Sequence, residues 1–255
     1  MKKVFPFILI LLLSVAAKDA SPWFYELRVY RLADAADESR VDAYLQKALV
    51  PALHRNGIKS VGVFKPVKED TVYKNRIYVM IPYKSLNELD KTASALQKDT
   101  QYQADGSDYI NASHADPAYV RMETTLIKAF RFMPEPAVPN LKSAKQDRVY
   151  ELRSYEGATE KLYQTKVHMF NEGGEIKLFT KLNFNAVFYG EVISGSSMPN
   201  LMYMTSFENK ADRDAHWNTF RDDPEWKVMS KLPQYQNTVS KNTQFLLYPT
   251  SYSDF

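Results

Sequence analysis

The chain writes one charged strand twice. "FYELRVY" occupies residues 24–30 and "VYELRSY" residues 149–155. Each copy sets a glutamate, an arginine and a tyrosine at alternate positions: Glu26, Arg28 and Tyr30, then Glu151, Arg153 and Tyr155. Alternate residues of a strand share a face, so each triplet belongs to one side of a sheet. A guanidinium held on such a face can grip an anionic group bidentately. The same residues can equally satisfy one another as structural ion pairs, because a buried charge needs a partner whatever its purpose.

A second constellation lies in "HMFNEGGEI" (168–176). On a continuous helix His168, Glu172 and Glu175 fall at i, i+4 and i+7 and share a face. A histidine and two carboxylates so placed can bind a divalent cation or act as acid and base; the alternative is a solvated or salt-bridged helix face. No second ligand cluster accompanies them, so no metal is predicted. His216, in "RDAHW", sits at the edge of a core-facing stripe, and His54 near the end of a helix, where a histidine can meet the last carbonyls. The candidate ligand-binding residues are therefore Glu26, Arg28, Tyr30, Glu151, Arg153, Tyr155, His168, Glu172, Glu175 and His216. No GxSxG, P-loop, GxGxxG or HExxH motif is present, so no catalytic residue is assigned and no organic cofactor is expected.

These residues need elements to position them, and the repeat extends well beyond seven residues. After Tyr30, Val41, Leu45, Leu49 and Leu53 recur at helical spacing and stop at Asn56-Gly57; after Tyr155, Leu162, Met169, Phe170, Ile176 and Phe179 do the same. Strand-like runs follow at 58–64 and 76–83, matched by 184–192 and 200–207. Second helices open at the capping box Ser85-Leu86-Asn87-Glu88 and around Lys210. Asp223-Pro224 reads as an N-cap with proline at the first helical position. Runs at 121–130 and 243–249 close the halves.

Each half thus reads βαββαβ, the ferredoxin-like order, in an α+β chain. The first half is expected over 21–132 and the second over 148–255, joined by a proline-rich linker at 133–147. Two such sheets, each bare on one face, are expected to cover each other and close a barrel within one chain. On that expectation Tyr25, Leu27 and Val29 lie under the helices, while the charged triplets face the barrel interior. Tyr203 and Met204 are further candidates to line a pocket.

Composition agrees with a folded chain: 255 residues, 45% hydrophobic and 25% charged. Lys2 and Lys3 precede an apolar run, Val4 to Leu13, and then small residues to Ala17. This reads as a Sec-type signal peptide within residues 1–20, which implies a periplasmic or secreted protein with no stable membrane anchor after cleavage. Loss of residues 1–17 removes two lysines and no acid, lowering the formal charge from +3 to +1. A near-neutral chain gives no basis for nucleic-acid binding. With no cysteine, disulfides and thiolate chemistry are excluded.

The segments "YELRVY", "GIKSVGVF", "RVYELRSY", "MFNEGGEI", "PNLMYMTSF", "RDAHW" and "DPEW" resemble the NIPSNAP family, in particular exported bacterial proteins with tandem domains. The resemblance implies the dimeric α/β-barrel superfamily. It implies little chemistry, since that superfamily includes cofactor-free monooxygenases, haem-degrading enzymes and small isomerases. Two functions remain open: binding a small, partly apolar or anionic molecule in the barrel interior, or cofactor-free catalysis of a monooxygenase or isomerase type. Homo-oligomerisation is left open.

Overall fold

A computed structural model describes residues 21–255; the expected signal peptide, 1–20, lies outside them. The first half contains β1 (Phe24–Arg31), α1 (Ala35–Tyr44), a π-helical segment (Leu45–Leu49), α2 (Val50–Arg55), β2 (Gly62–Pro66), β3 (Arg76–Tyr83), α3 (Leu86–Lys98), the short helices α4 (Thr100–Asp105) and α5 (Ser107–Ile110), and β4 (Arg121–Ala129). The second half contains β5 (Val149–Glu156), α6 (Glu160–Phe170), α7 (Glu175–Lys181), β6 (Ala186–Ser194), β7 (Asn200–Phe207), α8 (Lys210–Asp222), α9 (Pro224–Met229) and β8 (Lys241–Pro249).

The helix starts follow their caps. The Ser85 hydroxyl accepts from the Glu88 amide while the Glu88 carboxylate accepts from the Lys84 amide, and Asn209 caps α8 through the Asp212 amide at 2.9 Å. Asp223 caps α9, with Pro224 at the first helical position. The π segment sits just ahead of Pro51, which has no amide to offer the carbonyl four residues back; widening the turn relieves that clash.

Within each half the strands lie in the order β4-β1-β3-β2 and β8-β5-β7-β6. The edges then join, β2 to β8 and β4 to β6, both antiparallel, and close an eight-stranded barrel. Closure removes every open sheet edge. The helices cover the outside, so most strands are buried on both faces; β7 has no exposed residue.

Three large apolar cores follow, with a fourth, smaller cluster of Met169, Met229 and Tyr235. Tyr25, Leu27, Tyr150, Leu152, Phe64, Met80, Met204 and Phe255 fill the barrel interior. Tyr30, Val79 and Ile81 pack beneath the first-half helices, and Tyr189, Tyr203 and Leu201 beneath those of the second. This reverses the expected facing of the repeated strand: Tyr25 and Leu27 point into the barrel, and the charged triplets point outward under the helices. Among the described residues, no helix is long and apolar enough to cross a membrane.

Candidate functional site

Alternation in β5 puts Glu151 and Arg153 between the sheet and α8, and Tyr155 against Phe170 of α6. Glu151 is fully buried. It accepts from Arg153 Nε at 2.7 Å, from Arg213 Nη2 at 2.6 Å and from the Trp217 indole at 2.6 Å. Burial alone would raise its pKa, but the Arg213 hydrogen bonds, the two guanidinium charges and the indole hold it below the ordinary value. The Arg153 guanidinium lies 3.8 Å from the Trp217 ring centroid and donates to the Tyr155 hydroxyl at 3.1 Å. Tyr155 in turn shares a hydrogen bond of 2.8 Å with Tyr203. Each of the three nitrogens of the Arg153 guanidinium therefore meets protein.

The first half repeats a simpler version. Arg28 pairs with Glu26 through Nε at 2.7 Å and Nη2 at 3.0 Å, and Tyr83 donates to the same carboxylate at 3.2 Å. Tyr30 packs edge-on against Tyr109 and Tyr119. Neither triplet lines the barrel interior.

The His168 constellation is also dispersed. α6 ends at Phe170, Gly174 takes a left-handed φ of +96°, and α7 starts afresh at Glu175, so no single helix carries the three residues on one face. His168 shares a 2.9 Å hydrogen bond with the Tyr235 hydroxyl. A Cβ on Gly173 would come within 2.6 Å of that same hydroxyl and of the Met169 carbonyl, which explains one glycine of the pair. Glu175 is buried against Lys166 at 2.7 Å, whereas Glu172 is exposed. Among the described residues no group of three potential ligands could hold a metal ion. His216 is spent on its own helix, bonding the Asp212 carbonyl at 2.8 Å. His54 bonds Asp254 at 2.8 Å rather than the end of its helix. Met204 fills the barrel core.

The open chemistry lies at one end of the barrel. Side chains plug the other end, where Phe64, Tyr150 and Phe255 form an aromatic cluster. At the open mouth a cavity of about 320 Å³ has an apolar floor that includes Leu27, Leu152 and Met202. Its wall comes from strand ends that continue the inward-facing set: Arg31, Arg76, Glu123, Glu156 and Lys241. Arg31 is directly opposite Arg76 in the β1–β3 ladder and opposite Arg121 in the β1–β4 ladder. Like charges directly opposite on one face are unfavourable. Glu123 pairs with Arg31. Arg76 instead lies over the Tyr73 ring, 4.6 Å from its centroid, and forms no ion pair among the described residues. In the second half the matching row is Glu156 between Asn200 and Lys241, with Lys241 on Glu156 at 3.3 Å and Asn200 bonded to Ser154 at 2.9 Å. The mouth is thus cationic on one side and self-neutralised on the other.

A larger groove of about 770 Å³ runs outside the barrel along Gln244, Leu246 and Tyr248 of β8. Its charges, among them Lys68, Glu69, Asp147 and Arg148, are of mixed sign.

No curated protein matches the chain in sequence. Solved structures match the whole barrel. A candidate monooxygenase from Lactobacillus acidophilus NCFM superimposes with a TM-score of 0.57 at 10% identity, over 90% of this chain and 94% of that one. A candidate monooxygenase from Fusobacterium nucleatum gives 0.57 at 9% identity, over 90% and 93%. At these identities the likeness is one of fold. An uncharacterised NIPSNAP-like domain protein from Burkholderia xenovorans aligns at 17% identity over 42% of this chain and 90% of its own, with a TM-score of 0.38. The NIPSNAP family model matches residues 150–254. That span runs from the repeated strand β5 through β8, so the match to the NIPSNAP family covers the second half of this chain.

Proposed function

We propose that the protein binds a small organic anion at the open mouth of its barrel. The observation that carries this reading is the Arg31–Arg76 pair, two guanidinium groups set opposite each other at the rim of an apolar-floored cavity, with Glu123 paired to Arg31 on the side away from Arg76. A cavity near 300 Å³ or above with a few convergent polar groups fits a small-ligand site. The ligand is held by residues other than the buried triplets, whose donors are consumed by protein. Export through the N-terminal segment belongs to the same reading, and would expose the mouth to extracytoplasmic solutes.

Calorimetric titration of the intact chain with small monocarboxylates and their neutral amides tests it. Acids should bind, amides should bind far more weakly, and Arg76→Gln should weaken the acids about tenfold or more, as expected for loss of a charge-assisted hydrogen bond. Acid binding unaltered by Arg76→Gln would move the site elsewhere. A cofactor-free enzyme on this fold is the second reading, favoured by the full-length likeness to two candidate monooxygenases. Oxygen consumption that depends on a bound acid would raise it above simple binding.

A further inference from the structure

The mouth also has a feature that bears on which anion it takes. Tyr73, Tyr78 and Phe245 form a continuous aromatic wall on the side of the cavity that carries Arg76. Tyr73 and Phe245 stand edge-to-face with centroids 4.8 Å apart, and Tyr78 and Phe245 are 5.7 Å apart. Tyr73 and Phe245 are only partly buried, although each has aromatic neighbours, so ring surface remains available at the rim. Arg76 and Tyr78 are two apart on β3 and both line the cavity; burial raises the Tyr78 phenol pKa and the Arg76 charge pulls it back. The opposite wall offers small hydrogen-bonding groups, Thr125, Ser196 and Ser197 among them.

We infer that the mouth selects an aromatic carboxylate, its ring against Tyr73 and Phe245 and its carboxylate on Arg76. This rests on the anion-binding reading above and narrows it. An edge-to-face or offset contact between rings adds about 0.5–1.5 kcal/mol beyond the apolar area it buries. A saturated ring of the same carbon skeleton buries similar area without that term, so the two should be distinguishable. The cavity, at about 320 Å³, sits at the small end of ligand pockets and suits one or two rings rather than a long acyl chain.

Benzoate, cyclohexanecarboxylate and benzamide provide the test, titrated into the intact chain and into Phe245→Leu, Tyr73→Leu and Arg76→Gln, each variant checked for an unchanged far-ultraviolet circular dichroism spectrum and a cooperative urea melt. Benzoate should bind about fivefold more tightly than cyclohexanecarboxylate, the ratio that the aromatic term supplies. Phe245→Leu and Tyr73→Leu should each bring the ratio towards one. Tyr73 lies outside the strands, so its variant keeps the test valid if Phe245→Leu fails to fold. Arg76→Gln should weaken both acids and leave their ratio standing. Equal affinity for the two acids would overturn the aromatic preference while the anion site survived. A preference that persists in both wall variants would also overturn it. Failure of both acids to bind the unmodified chain would remove the anion site itself.

Discussion

Glu151 accepts the indole N–H of Trp217 at 2.6 Å, with no exposure of the carboxylate's residue to solvent. The contact joins the repeated strand to α8 and completes a cage in which Arg153 and Arg213 supply the other donors. Removing one member of a buried charge network costs about 3–5 kcal/mol, because the remaining charge is stranded. Glu151→Ala strands Arg153 against Tyr155 and the Trp217 ring, and should lower stability by that amount in urea melts. Trp217→Phe keeps an aromatic ring but removes one donor and part of the buried indole, for a loss of about 1–3 kcal/mol from the donor plus the cost of the vacated volume. Arg28→Ala, in the simpler and more exposed first-half pair, should cost less than Arg153→Ala. Equal losses in the two halves would contradict the asymmetry.

The same cage fixes an acid response. Glu151's pKa is depressed on folding, despite the burial that would raise it, by Arg213, Arg153 and Trp217. Glu208, which accepts the Lys142 and Ser143 amides and so pins the linker to the second half, is lowered from 4.5 to about 2. A depressed carboxylate stabilises the fold above its unfolded pKa, and that stability is lost as pH falls through the folded value. Stability should therefore hold above about pH 5 and decline from about pH 4.5 towards 2. Glu208→Gln should flatten part of that decline. A decline unchanged by Glu208→Gln would show that the linker contact does not titrate with folding.

Neither half closes alone. The interior core combines Tyr25, Leu27 and Phe64 with Tyr150, Leu152 and Leu247, and both seams, β2–β8 and β4–β6, join first-half to second-half strands. Residues 21–135 expressed alone should be insoluble, or should self-associate through the vacant edges and bare face. Light scattering would settle which. A monomeric first half with a full cooperative transition would contradict the interdependence.

The repeat, the βαββαβ order and the capping residues were legible because periodicity and caps are local. The facing of the repeated strand was not. Alternation fixes which residues share a face, not which way that face points. Polarity usually settles the direction, with the charged side towards water. Here both faces of β5 and β7 are buried, and Arg213 and Trp217 on α8 make the helix side hospitable to Glu151. The mouth residues were missed for a related reason. Arg31, Arg76, Glu123 and Lys241 occupy strand ends in the same alternation as Leu27, Tyr78, Ile127 and Leu247. Extending the inward set to the ends of each strand would have found them, whereas their convergence depends on closure between halves, which no single segment encodes.

Export is testable without structure. The basic start and apolar run of residues 1–17 predict a mature chain beginning near residue 18–21. Intact-mass measurement on the extracytoplasmic fraction should find it. Met1 retained on soluble cytoplasmic protein would contradict export.

The last prediction separates stability from binding at the mouth. Arg31 and Arg76 face each other across β1 and β3, and Glu123 pairs with Arg31. In the absence of an anion this arrangement is a cost, since like charges directly opposite are destabilising by a few tenths of a kcal/mol up to about 1 kcal/mol. Arg76→Gln should therefore raise, not lower, the stability of the ligand-free protein by about that amount, at the expense of the Tyr73 stacking contact. Salt screens exposed charges, with a Debye length of about 10 Å at 0.1 M and 3 Å at 1 M, so the gain should shrink in high salt. Benzoate at one fixed concentration should reverse the order, stabilising the unmodified chain more than the variant, whose affinity is about tenfold weaker. Urea melts at two salt concentrations, each with and without benzoate, measure all of this. A variant that is less stable than the parent in low salt would show Arg76 to be a structural residue satisfied by its ring and strand, and would withdraw the argument that its charge awaits a ligand.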